Sequence, residues 1–181
     1  MGLVEESGWP AAVVRSRITM AETLSAERTL EPEKMWSYMR RLLDRLYGVL
    51  DSDSVMDDCL DIIVDLLGAD RGLILVTHAD GGVSVVNARG QKKSLTVEER
   101  EEISKTVIRQ ALDSNECVVW DPLAGADVSK SFTVLGILCA LAAPLHSRGK
   151  PHGVLYLDFR DRRKFVGPQH VEFFMGSAMV L

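Results

Sequence analysis

Apolar and polar residues alternate along this chain with two different periods. From Pro32, Met35, Met39, Leu42, Leu43, Leu46 and Leu50 recur at three- and four-residue steps, while Arg40, Arg41, Asp44 and Arg45 fill the gaps. That spacing is one face of an amphipathic helix, and Pro32 suits its first turn. Asp51-Ser52-Asp53-Ser54 stops this helix and caps a second, whose face is Met56, Cys59, Leu60, Ile63, Leu66 and Leu67 and whose end is Gly68. The period then shortens to that of strands. Gly72 to His78 and Val83 to Ala88 flank Asp80-Gly81-Gly82, which predicts a tight hairpin. Thr96-Val97-Glu98-Glu99 has capping-box form and predicts the start of a third helix bearing Ile103, Val107, Ile108 and Ala111.

Further along, residues 116–120 read as a short strand ended by Asp121-Pro122. Residues 123–136 read as a loop with a helical turn around 129–134. Ile137 to Leu145 and Pro151 to Phe159 are strands about a turn at Ser147-Arg148-Gly149-Lys150. Gly167-Pro168 opens a last helix whose apolar face is Val171, Phe174, Met175, Ala178 and Leu181. Hairpins joined in this order predict an α+β fold, a largely antiparallel sheet with helices packed on it. Residues 1–31 are polar and broken by Trp9-Pro10, so they read as a tail or linker without a part in the core, leaving 32–181 as the domain. The apolar finish at Ala178-Met179-Val180-Leu181 suggests a domain cut from a longer protein.

Composition narrows the function. With 21 Lys and Arg against 26 Asp and Glu, the net charge is −5. A nucleic-acid or anionic-membrane surface is disfavoured, since phosphate binding needs clustered cations. Three cysteines (Cys59, Cys117, Cys139) without CxxC spacing indicate neither a disulfide framework nor a zinc site, so a cytoplasmic protein is expected. His78, His146, His152 and His170 are scattered and read as turn and strand-end residues. Neither a phosphate-binding GxxxxGK[ST] loop nor a nucleophile elbow occurs.

Gly136 to Leu145, then Arg148-Gly149-Lys150, then Gly153-Val154-Leu155-Tyr156-Leu157-Asp158 resemble the strand–turn–strand core of GAF domains. Ile62 to Gly72 resembles their second helix running into the first strand, and Gly167-Pro168-Gln169-His170 the start of their closing helix. The resemblance spans about residues 35–181. It implies a GAF/PAS-like central antiparallel sheet of about six strands with helices on both faces. One face would enclose a pocket for an unidentified small molecule, and occupancy would bias an attached output domain. The Gly153–Asp158 strand is similar to the sensor segment of bacterial sigma-54-dependent transcriptional activators. The first and last helices of the family often pair across a homodimer. The cyclic-nucleotide signature is absent, and no cysteine lies in a bilin-attachment context. Leu138-Cys139 stands where many relatives carry Arg-Ser.

The resemblance makes Val107, Trp120, Asp121, Asp127, Phe132, Cys139, Leu141 and Tyr156 the candidate ligand-binding residues. Each has a plainer role as well. Asp121 and Asp127 would accept hydrogen bonds from a polar or cationic ligand, or serve turn and cap chemistry. Cys139 would line the pocket, or act as a small buried hydrophobe. Trp120, Phe132, Leu141 and Tyr156 would wall an apolar cavity, or fill the core. The expectation is a sensor without catalysis and with an unknown cofactor. The alternatives are a dimerisation or scaffold module, and a redox enzyme of the methionine-sulfoxide reductase GAF type working through Cys117 and Cys139.

Overall fold

The structure is a computed structural model that describes residues 30–48, 52–90, 95–96, 103–120, 136–160 and 167–181. Its elements are α1 (Pro32–Gly48), α2 (Ser52–Leu67), β1 (Arg71–Thr77), β2 (Val83–Gly90), α3 (Lys105–Ser114), β3 (Val118–Trp120), β4 (Cys139–Ser147), β5 (Lys150–Phe159) and α4 (Pro168–Val180). The described strands form one sheet of five, in the order β2-β1-β5-β4-β3, and every neighbouring pair is antiparallel. The sequence pattern predicts this architecture.

The turns explain why the strands meet as they do. Arg148 (φ 52°) and Gly149 (φ 75°) are both left-handed, the combination of a type I′ hairpin turn, whose twist matches the strands it joins. In the β1–β2 turn, the Asp80 carboxylate accepts the Gly82 N–H at 2.8 Å and Gly81 supplies φ 81°.

Two apolar layers sandwich the sheet. On one face Ile74, Leu141, Ala143, Leu155, Leu157 and Phe159 pack beneath α1, α2 and α4. On the other, Leu73, Leu75, Ala140, Ala142, Val154 and Tyr156 pack beneath α3. Each fully buried leucine or phenylalanine contributes about 1.5–3 kcal/mol, so the three-helix layer carries much of the stability. The α2 helix sits hard against the sheet: a Cβ on Gly72 would lie 2.5 Å from Val64 Cγ2. Arg89 on edge strand β2 pairs with Asp57 and, at 3.1 Å, with Asp61, and Asn87 donates to Asp57 at 2.8 Å. Such half-exposed pairs add little energy but fix where α2 crosses the edge.

Three expectations need correction. Leu30 falls in the presumed tail but is buried in the three-helix layer. It precedes Glu31, whose carbonyl accepts the Met35 N–H at 3.0 Å. Leu30 and Met35 thus occupy the N′ and N4 positions of a hydrophobic staple, both in that layer. The helix bearing Val107, Ile108 and Ala111 starts at Lys105 and is capped by Ser104. Residues 97–100 of the Thr96 box lie outside the described residues, as do 1–29 and the helical turn expected at 129–134. His170 is buried in the first turn of α4, where its Nδ1 accepts the Gly167 N–H at 3.3 Å. No helix among the described residues is long and apolar enough to cross a membrane.

Candidate functional site

Side chains alternate across a strand, so antiparallel register arranges them in rows over one face of the sheet. One row under α3 runs Gly90, Arg71, Asp158, Ala140, Trp120 across all five strands. The next runs Ala88, Leu73, Tyr156, Ala142, Val118. Val107, Ile108 and Ala111 of α3 lie over these rows. This face is therefore apolar, with small alanines at β4 between Trp120 on one side and Tyr156 and Asp158 on the other.

The exception to its apolarity is a buried polar chain. Arg71 Nε donates to both Asp158 carboxylate oxygens at 3.0 and 3.1 Å, and its Nη2 donates to Oδ2. Arg160 Nε stands 4.0 Å from the same carboxylate. The Tyr156 hydroxyl accepts the Ser104 N–H at 3.5 Å, and the Asp158 charge bears on it. Ser104 caps α3 through its hydroxyl, which accepts the Val107 N–H at 3.4 Å. Asp158, Tyr156 and Ser104 are wholly buried. Burial pushes the Asp158 carboxyl up, with Arg71 opposing it. Burial also lifts the Tyr156 hydroxyl well above its usual range, with the Asp158 charge adding to it. Tyr156 is therefore a fixed neutral donor and acceptor at neutral pH.

The candidate residues do not all meet. Val107, Trp120 and Tyr156 share the α3 face. Cys139 and Leu141 face the three-helix layer instead. Alternation leaves no choice: on β4, Ala140 and Ala142 point toward α3, so their neighbours point away. Cys139 and Leu141 are thus core residues, not part of this face. Asp121, Asp127 and Phe132 lie outside the described residues. Sequence reasoning passed over Arg71, Asp158 and Ser104. A signal was available: each charge ends an otherwise apolar strand, and antiparallel pairing sets the start of β1 against the end of β5.

Other chemistry finds little support here. The register that opposes Val118 to Ala142 would set Cys117 opposite Ala143. Cys139 is four residues further along β4, on the order of 13 Å at the rise of a strand, well beyond disulfide reach. Burial pushes the Cys117 thiol up to about 12 and, aided by Asp58, the Cys59 thiol up to about 11. Both are poor nucleophiles at neutral pH. Among the described residues no group of three His, Cys, Asp or Glu is placed to hold a metal ion. A cavity of about 490 Å³ opens elsewhere, on α1 between Glu33, Trp36, Ser37, Met39, Arg40 and Leu43. It lies on the outer side of α1, apart from the α3 face, and its described lining comes from that helix. The buried polar chain makes the α3 face the better candidate for recognition.

Fold and face together define a GAF-type domain, and the family model described as "GAF domain" matches residues 49–180. The chain belongs to the GAF domain family. Its fold is similar to that of the phycoerythrobilin-bound GAF domain of a cyanobacterial phytochrome, with TM-score 0.62 and 18% identity over 83% of this chain and 92% of that one. It is also similar to residues 122 to 287 of a methyl-accepting chemotaxis protein (TM-score 0.60, 19% identity, 77% and 91% covered). A third similar structure is the chromophore-binding domain of the Stigmatella aurantiaca bacteriophytochrome (TM-score 0.64, 14% identity, 86% and 61% covered). No curated protein is significantly similar in sequence.

Proposed function

We propose that this domain is a cytoplasmic sensory module without catalysis of its own, which binds a small molecule on the α3 face of the sheet. Occupancy there biases an attached output domain through α1 and α4. One observation carries the reading: the two faces of the sheet are built differently. Among the described residues, three helices seal one face with mainly apolar side chains, their buried polar groups His170 and Ser177 bonding within α4's own turns, whereas the other face combines apolar walls with buried polar groups at Arg71, Asp158, Tyr156 and Ser104. Apolar walls with a few placed polar groups are how ligand sites gain both affinity and orientation. The names of the similar structures, chromophore-binding and chemotaxis domains, accord with it. The finer form of the reading is the sensor segment of a sigma-54-dependent transcriptional activator, supported by the similarity of the Gly153–Asp158 strand. A metabolite library screened by thermal shift and native mass spectrometry tests the sensing role. A saturable upward shift is expected for at least one compound class, and none across a broad library contradicts it.

Signal output through α1 and α4 implies a homodimer. Trp36 is 74% exposed, Tyr47 is 87% exposed and Met179 on α4 is 64% exposed. Trp36, Leu43 and Tyr47 recur at seven- and four-residue steps along α1, the spacing of a helix-pairing stripe. Sedimentation is expected to find a dimer that Trp36→Asp with Tyr47→Asp converts to a monomer of unchanged fold; a wild-type monomer at tens of micromolar contradicts the dimer. A second reading is a scaffold module with no ligand. It is favoured by the zero exposure of Leu73, Leu75, Val154 and Tyr156 beneath α3, and the same screen separates the two.

A further inference from the structure

We propose that α3 is a flap over the sheet, hinged at its C-terminal end and held shut at its N-terminal end by the Tyr156 hydroxyl. The two ends of α3 are fastened very differently. At the C-terminal end Asn115 adopts the left-handed cap (φ 54°), and its Oδ1 meets His146 Nε2 of β4 at 2.7 Å. Three residues later the chain is in β3, paired to β4 through Val118, Val119 and Trp120. Covalent continuity and a short hydrogen bond pin that end to the sheet.

At the N-terminal end the polar link to the sheet among the described residues is the Ser104 N–H to Tyr156 hydroxyl bond, which at 3.5 Å is near the limit of such a bond, with Leu95 and Ile103 adding apolar contact. Between the two ends Val107, Ile108 and Ala111 contribute apolar contact, which has no direction and permits rotation about the pinned end. The Tyr156 hydroxyl is itself immobilised. Tyr156 is wholly buried on β5, paired on one side with Leu73 of β1 and on the other with Ala142 of β4, so the latch is anchored in the middle of the sheet. When the flap lifts, Tyr156 stays with the sheet, and among the described residues the Ser104 amide loses its hydrogen-bond partner. Of the described fastenings on this face the N-terminal ones are the weaker, so the N-terminal turn is expected to open first. Opening needs no ligand, so the proposal stands or falls separately from the sensing role.

Amide-resolved hydrogen exchange on the full chain tests it, comparing wild type with Tyr156→Phe. The amides to follow are Ser104, Val107 and Ile108, which bond to Tyr156 Oη, Ser104 Oγ and the Ser104 carbonyl respectively. All three are expected to exchange at least tenfold faster in Tyr156→Phe, while amides of Asn115–Trp120 and of the β1–β5 ladder keep their wild-type rates. Unchanged rates at α3, or one common acceleration across the protein, would overturn the proposal. Wild type alone gives a second arm should Tyr156→Phe fail to fold. In sub-denaturing guanidinium the three amides should exchange through an opening with weak denaturant dependence, while the ladder exchanges only by global unfolding. Exchange of both sets through the global route would overturn it equally.

Discussion

Arg71→Met is expected to destabilise the domain by about 3–5 kcal/mol, because it strips the Asp158 carboxylate of its bidentate partner in a site without water access. Asp158 is wholly buried, and the other cation in view, Arg160, stands 4.0 Å away and partly exposed. The carboxyl can escape its cost by taking up a proton. This fixes the pH dependence. A carboxyl whose folded-state pKa lies above its unfolded value favours the fold at low pH, and that contribution is lost as pH rises through the folded pKa. Burial already pushes Asp158 in that direction, and losing Arg71 pushes it further. The gap between wild type and Arg71→Met should therefore be widest at neutral pH and shrink as pH falls toward 4. The double variant Arg71→Met with Asp158→Leu should recover most of the loss, since an apolar pair of similar volume leaves no charge to solvate. Guanidinium midpoints at constant m-value measure all three. A loss under 1 kcal/mol for Arg71→Met at pH 7 would mean that water reaches the pair.

The second large effect is expected at Gly153→Ala. A Cβ there would lie 2.2 Å from the Leu75 carbonyl oxygen, a backbone atom of the neighbouring central strand. No side-chain rotation relieves such a clash, so β1 and β5 must part locally at Val76–Gly153, their terminal pair. Overpacking of a well-filled core costs about 1–3 kcal/mol, and more when the obstacle is backbone. Gly149→Ala is the fitting control. Its Cβ would meet open space, and its cost is the left-handed φ of 75° alone, about 1 kcal/mol. Thermal unfolding should rank Gly153→Ala well below Gly149→Ala. The reverse order would mean that the two central strands separate easily.

Which elements the sequence disclosed, and which it hid, follows from the physics of each signal. Helix periodicity located α1, α2 and α4 because each buries one stripe against one layer. The hairpins were legible because Gly81 and Gly149 hold φ values that few other residues accept. The faces of β4 were not legible. From Ile137 to Leu145 the strand is apolar on both sides, since both sides are covered, and alternation carries no sign there. Cys139 and Leu141 were assigned to the wrong layer for that reason. The Arg71–Asp158 pair was hidden differently: 87 residues separate its members, and a charge at a strand end looks like turn chemistry until the register is known. Leu30 was missed because a single apolar residue ahead of a helix has no period at all.

A ligand found by the metabolite screen locates its own site, and mapping it by amide-resolved hydrogen exchange tests the two-faced design most directly. Slowed exchange is expected at Ser104, Val107 and Ile108 of α3 and along Tyr156–Asp158 of β5, with the outer surface of α1 unaffected. Protection confined to the α1 groove at Trp36, Met39 and Leu43, with α3 unchanged, would contradict it.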